Sequence, residues 1–302
     1  MSEYLITTEG LTKTFKHVKA VDSVSLHIKE GSIYGLIGRN GAGKTTIMRM
    51  IAGLASPDRG RINYDGFEGG EGEAFSKIGS LIETPAIIPS LNAYDNMKIK
   101  CLSCGIKDRK YITEKLALVG LDRTKIKAGK FSLGMKQRLG IAMALVGDPK
   151  FLILDEPING LDPQGIAEVR KLLIKLNKDS GITILISSHI LSELSKLATD
   201  YAIIDRGRIL EESTSDELQR RCRDKIVVKT PDGEKIAEIL TEKGYSDFKL
   251  NEDNTVYVYE RLGDIAQLNR DLVMGDVSVE SISVVATDLE EYFFKVTGGE
   301  GR

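Results

Sequence analysis

"IYGLIGRNGAGKTTIMRMIAGL", residues 33–54, is the stretch that decides the fold. Residues 33–37 form a short apolar run of strand length, and Ile47, Met50, Ile51 and Leu54 then recur at helical spacing. Between them, "GRNGAGKTT" sets Gly38, Gly43, Lys44 and Thr45 in the pattern G-x-x-x-x-G-K-[ST]. Small residues let consecutive backbone N–H groups close around phosphate oxygens. Lys44 adds a mobile positive charge, and the Thr45 hydroxyl suits Mg²⁺. Arg39, Asn40, Gly41, Ala42 and Thr46 complete the loop. Strand, loop and helix occur in the order the chemistry requires, so a nucleoside triphosphate is the expected ligand.

Further along, "FLILDEP" at 151–157 and "ITILISSH" at 182–189 read as strands. They flank a helical stretch with Val169, Leu172, Leu173 and Leu176 on one face. Strand, helix, strand at this length favours a parallel sheet covered on both faces, hence an α/β fold. Ligands of such sheets sit beyond the C-terminal strand ends, where Asp155 and Glu156 emerge. Asp155 is expected to bind Mg²⁺, and Glu156 to orient or deprotonate an attacking water. His189 should reach the same edge as a hydrogen-bond donor to the terminal phosphate, although a histidine after a strand also reads as structural. Asp162, in "NGLDP", is open between turn-maker and interface residue.

A second anion-seeking element precedes the carboxylates. "FSLGMKQRLGIAMAL", 131–145, opens with Ser132 and Gly134 and runs into a helix whose stripe is Leu139, Ala142, Met143 and Val146. Its packed face leaves the first amides free for an anion. The segment from 84 to about 146 is mainly helical, with Asn92 and Asp95 as a capped start and Ile112, Leu116 and Val119 on one face. The glycine-rich "GFEGGEGEAF", 66–75, lacks the Gly-Lys-Thr ending and reads as a surface loop.

Composition narrows the partners. A formal charge of −2 gives no basic excess, so neither nucleic acid nor an anionic membrane surface has electrostatic support. Three cysteines, Cys101, Cys104 and Cys222, are too few for a disulfide framework and fit a reducing compartment. Cys101 and Cys104 form one C-x-x-C without a second ligand pair, which argues against zinc. "MSEYLITTEG" has no signal-peptide pattern, and no apolar run reaches the roughly 18 residues of a membrane span.

Beyond about residue 218 the pattern changes to "KIVVKT", a helix at 235–243, "DFKLN", "TVYVYE", a helix near 263–272 and "VSVESISVV". The order β-α-β-β-α-β predicts a small accessory α+β domain without a catalytic cluster.

The succession "GRNGAGKTT", "FSLGMKQRLGIA", "FLILDEP", "NGLDP" and "SSH" resembles the ABC-type ATPases that drive membrane transporters, over residues 1 to about 218. The resemblance implies a P-loop ABC-type ATPase core at 1–218 with a helical subdomain at about 84–146, followed by the accessory domain at 219–302. It implies ATP and Mg²⁺ as ligands, with Thr45 and Asp155 at the metal and Glu156 and His189 as catalytic residues. It also implies an ATP-dependent head-to-tail homodimer, in which Ser132 and Gly134 cap the γ-phosphate of ATP held by the other chain's Lys44 and Asp162 lies at the seam. Phe15, in "LTKTFKHVKAVDSVSL", stands where the family stacks an aromatic on adenine; a core phenylalanine is the other reading. Two departures stand out. The turn is Ser132-Leu133-Gly134-Met135 where the family has Ser-Gly-Gly-Gln, and Glu83, in "SLIETP", replaces a glutamine that contacts Mg²⁺ or its water. Glu83 is expected to join Thr45 and Asp155 at the metal or its water shell and to communicate with the membrane subunit, a solvated loop glutamate being the other reading.

Glu83, "LGMKQRLGIA" and the tail "DLEEYFFKVTGG", 288–299, are most similar to exporters of bacitracin and lantibiotic-type peptides. That branch pairs the ATPase with separate transmembrane permease subunits at the cytoplasmic face of the membrane, with no nucleic-acid partner. Two other functions compete with this one. A soluble ABC-type ATPase acting on ribosomes or nucleic acid usually has two phosphate loops or a long coiled-coil insert, and this chain has one loop and no sustained heptads. A non-hydrolysing ATP-dependent interaction module is disfavoured by Glu156.

Overall fold

Alternation of apolar and polar side chains builds the first layer. β1 (Tyr4–Phe15) and β2 (Val18–Lys29) pair antiparallel, and Val24, Leu26 and Ile28 are buried between exposed neighbours. β3 (Ile33–Ile37) is buried at every position and leads into α1 (Lys44–Ile51). β4 (Arg59–Asn63) then returns to the first layer beside β1. This computed structural model describes residues 3–67, 70–285 and 289–298.

α2 (Gly70–Ser76) corrects the reading of 66–75 as a surface loop, while residues 68–69 lie outside the described part. Ala74 is fully buried and the Phe75 ring meets the Tyr64 ring edge-on at 5.5 Å. Tertiary burial outweighs the poor helix propensity of the glycines. β5 (Ile78–Leu81) follows at the edge of the main sheet.

The helical segment holds α3 (Ala93–Ser103), α4 (Arg109–Leu118) and α5 (Leu133–Ala144). Asn92 caps α3 by accepting from the Asp95 amide at 2.8 Å, and Ile112 and Leu116 anchor α4. α5 is buried more widely than a stripe: Gly140, Ile141 and Ala144 are enclosed with Leu139 and Ala142, whereas Met143 is only half-buried.

β6 (Phe151–Leu154), α6 (Pro163–Ser180), β7 (Thr183–Ser188), α7 (Leu191–Leu194), β8 (Asp200–Asp205) and β9 (Arg208–Thr214) complete the sheet. Its order is β5-β6-β7-β3-β8-β9, parallel except for β9. β3, β6 and β7 are buried throughout, as parallel strands covered on both faces must be. The order brings the ends of β6, β7 and β3 side by side.

Two compact units emerge, Met1–Ser215 and Asp216–Arg302. α8 (Ser215–Arg221) is followed by β10 (Lys225–Lys229), α9 (Gly233–Glu242), β11 (Phe248–Leu250), β12 (Val256–Val258), α10 (Ile265–Met274), β13 (Ser281–Val285) and α11 (Leu289–Val296). The second unit's sheet is antiparallel in the order β11-β12-β10-β13, a split β-α-β arrangement with its own core around Ile226, Val228, Ile236, Leu240 and Leu268. Among the described residues no helix is long and apolar enough to cross a membrane.

Glu212 on β9 links the two sheets of the first unit. It accepts from the His27 amide at 3.0 Å and from His27 Nδ1 at 2.8 Å on β2, and from the Tyr34 hydroxyl on β3. Burial, with the Glu212 carboxylate beside it, pushes the Tyr34 phenol well above its ordinary value, so Tyr34 remains a donor. Glu212→Ala strands that buried hydroxyl. Denaturant unfolding of the first unit should show a loss of about 1–3 kcal/mol, the cost of an unsatisfied buried group, and Glu212→Gln a smaller one.

Candidate nucleotide site

The phosphate loop is shaped by what its glycines leave out. Gly43 has φ +109°, and a Cβ there would lie 2.5 Å from the Ala20 carbonyl; one at Gly38 would lie 2.6 Å from the Ile204 carbonyl. Larger residues would push the loop off β2 and β8. Arg39, Asn40 and Gly41 form its exposed crest while Gly38 and Ala42 are buried. The first intrahelical bond of α1 runs from the Ile47 amide to the Gly43 carbonyl at 3.0 Å, so the amides of Lys44, Thr45 and Thr46 have no helical acceptor.

Lys44 is only 6% exposed. Its ammonium donates to the carbonyls of Gly38 at 2.6 Å and Arg39 at 3.3 Å, and lies 3.2 Å from Glu156 Oε1. Three oxygens therefore compensate the burial of the charge.

Asp155 follows β6 and is as buried as Lys44. The Thr45 hydroxyl donates to Asp155 Oδ2 at 2.7 Å, and the Ser187 hydroxyl, from the end of β7, donates to Oδ1 at 2.6 Å. Ser187 Oγ also accepts from the Glu156 amide at 2.9 Å. Glu156 adopts φ +49°, a left-handed conformation that costs a non-glycine residue about 1–3 kcal/mol at a functional turn. His189 Nδ1 donates to Glu156 Oε2 at 2.8 Å, while the buried Oε1 receives no hydrogen bond although Lys44 is near. The Glu156 carboxylate thus has one oxygen oriented by a histidine and the other buried against the Lys44 ammonium. With Nδ1–H on Glu156, His189 donates through Nε2 only as imidazolium.

The donor chemistry fits a small hard cation. Thr45 and Asp155 bring two oxygens together, and among the described residues no cluster of three His, Cys, Asp or Glu side chains is arranged to hold a metal. Mg²⁺ takes one or two protein oxygens and fills its shell with phosphate and water.

Ser132 and Gly134 lie away from this network, at the start of α5. Ser132 caps the helix by accepting from the Met135 amide at 3.2 Å, and Asp162 caps α6 by accepting from the Gly165 amide at 2.9 Å. A Cβ on Gly134 would sit 3.8 Å from the Leu161 side chain, so the two caps are neighbours. Phe15 is 51% exposed at the end of β1, which excludes the core reading, and the Lys13 ammonium lies 5.8 Å from its ring centre. Glu83, φ +65°, is an exposed residue whose carboxylate pairs with Arg49 of α1 at 2.7 Å; it shares no hydrogen bond with Thr45 or Asp155. Cys101 is buried and Cys104 exposed, and both are free.

Comparison with known proteins agrees with this geometry. The family described as ABC transporter matches residues 21–159. The bacitracin transport ATP-binding protein BcrA of Bacillus licheniformis is 44% identical over 300 residues, covering 98% of each chain. The lantibiotic transport ATP-binding protein SrtF of Streptococcus pyogenes is 44% identical over 70% of this chain and 92% of its own. Among solved structures, the ATP-binding cassette MJ0796, a dimer in a post-hydrolysis state bound to ADP and Pi, superposes with TM-score 0.62 at 26% identity, over 70% of this chain and 98% of that one. The phosphate loop, the carboxylate pair that closes on it and these relatives together place the chain in the ABC transporter family, as one of its ATP-binding, ATP-hydrolysing subunits.

Proposed function

We propose that the chain works as one of a head-to-tail pair and that its ATP cycle drives export of antimicrobial peptides through separate transmembrane permease subunits, from the cytoplasmic face of the membrane. BcrA and SrtF, whose names specify bacitracin and lantibiotic transport, support this substrate class and the need for permease partners. The dimeric MJ0796 cassette supports pairing. No nucleic-acid partner is included, in keeping with the net charge of −2.

One observation carries the catalytic reading. Asp155 and Glu156 leave β6 side by side yet face different groups, Asp155 toward Thr45 and Glu156 toward Lys44 and His189. In the proposed roles, the loop from Gly38 to Thr46 wraps the triphosphate with its amides and Lys44 neutralises phosphate charge. Thr45 and Asp155 hold Mg²⁺, which when bound draws charge from the phosphate oxygens. Glu156 takes the proton of the attacking water, and His189 fixes the Glu156 carboxylate and faces the terminal phosphate. Phe15 offers its exposed ring to adenine. Ser132 and Gly134 meet the γ-phosphate bound by the second copy, with Asp162 beside them at the seam. Glu83 approaches Mg²⁺ or its water shell and communicates with the permease, and must leave Arg49 to reach the metal.

Three variants test these roles. Lys44→Ala removes a charge-assisted contact, so equilibrium binding should show ATP affinity falling by about 10- to 100-fold. Glu156→Gln keeps the shape without the base. ATP should bind normally while turnover falls about 10²-fold or more and an ATP-bound dimer accumulates in sizing experiments. Gly134→Asp should leave ATP binding by the single chain intact and abolish ATP-driven pairing and hydrolysis. Mixing it with Lys44→Ala should restore one working site per pair, since one interface then joins a sound phosphate loop to a sound Ser132 turn. Loss of ATP binding by Gly134→Asp alone would assign that turn to its own chain's site.

A further inference from the structure

We propose that Ser187 is a positioning residue for Mg²⁺-dependent hydrolysis, one hydroxyl that sets both Asp155 and Glu156; the inference rests on the reading of Asp155 and Glu156 given above. Strand order places β7 between β6, which ends in the carboxylates, and β3, which leads into the phosphate loop. Ser187 lies near the C-terminal end of β7, opposite Leu36 of β3, and is fully buried. Its hydroxyl donates to Asp155 Oδ1 at 2.6 Å and accepts from the Glu156 amide at 2.9 Å.

Each bond has a separate consequence. Fixing Oδ1 leaves Oδ2 of Asp155 directed at the Thr45 hydroxyl, 2.7 Å away, so the two metal-facing oxygens are held in register across 110 residues of chain. Holding the Glu156 amide pins the turn where Glu156 adopts φ +49°, which returns its carboxylate to His189 and Lys44. An alanine at 187 would leave a buried carboxylate oxygen and a partly buried amide without their shared partner. The Asp155 carboxylate would then be free to rotate and the Glu156 turn to relax. Groups that orient a metal ligand typically change affinity or activity by about 10- to 100-fold when removed.

The test compares Ser187→Ala, Ser187→Thr and Ser187→Val in the full chain, since threonine and valine have nearly the same volume and differ in the hydroxyl. Binding of a fluorescent ATP analogue is measured in EDTA and across a Mg²⁺ titration, together with steady-state hydrolysis. Ser187→Ala and Ser187→Val should bind the analogue as wild type does in EDTA. They should need about tenfold more Mg²⁺ for the half-maximal effect and lose about tenfold in kcat with little change in KM. Ser187→Thr should stay close to wild type in both readouts. Wild-type Mg²⁺ dependence in Ser187→Ala, equal behaviour of the threonine and valine variants, or an equal loss of binding in EDTA would each overturn the proposal. Absence of Mg²⁺-dependent hydrolysis in the wild-type chain would instead reject the underlying reading of Asp155 and Glu156.

Discussion

A carboxylate at the end of a buried strand must find donors, and the first unit is organised around how Asp155 finds them. One oxygen takes the hydroxyl of Thr45 from the phosphate loop, the other that of Ser187 from the neighbouring strand. Both donors arrive because β7 lies between β6 and β3 in a parallel sheet, so three strand ends open on one edge. A buried carboxylate without these bonds would cost more than the fold gains from burying it. The same contacts join the start of α1 to the turn that carries Glu156. The binding and hydrolytic roles proposed for these residues thus share one set of hydrogen bonds.

Lys44 and Glu156 extend this economy. A buried ammonium and a strained glutamate compensate each other at 3.2 Å, with the Gly38 carbonyl and His189 on either side. Ion pairs of this kind are sensitive to a third charge, because the local dielectric is low and neither partner is fully hydrated. An anionic phosphate near Lys44 competes directly with Glu156 for its charge. In the proposed roles, phosphate at Lys44 would therefore free the Glu156 carboxylate.

Much of this was legible in the sequence because it depends on local rules. The phosphate loop follows from residues whose missing side chains shape the backbone, and the place of Asp155 at the sheet edge follows from where parallel strands end; its direct hydrogen bond to Thr45 comes from the structure. Ser187 escaped because a serine inside the run "ITILISS" carries no periodic signal; only the strand order reveals its two partners. Burial of Ala74 and the packing of Phe75 on Tyr64 turned a glycine-rich loop into α2, a tertiary effect that local propensity does not contain. Arg49 was equally invisible as the partner of Glu83, since the two are 34 residues apart and meet only through the packing of α1 near β5. The enclosure of α5 has the same cause, for a stripe records one packed face and this helix has several.

The central claim is that Asp155, held between Thr45 and Ser187, is where Mg²⁺ meets the bound nucleotide. Calorimetric titration of ATP into wild type and Asp155→Asn, in EDTA and in saturating Mg²⁺, measures this most directly. The account predicts that Mg²⁺ tightens binding to the wild-type chain, and that Asp155→Asn loses this gain while binding ATP in EDTA at least as well as wild type. A gain from Mg²⁺ that persists undiminished in Asp155→Asn would contradict it.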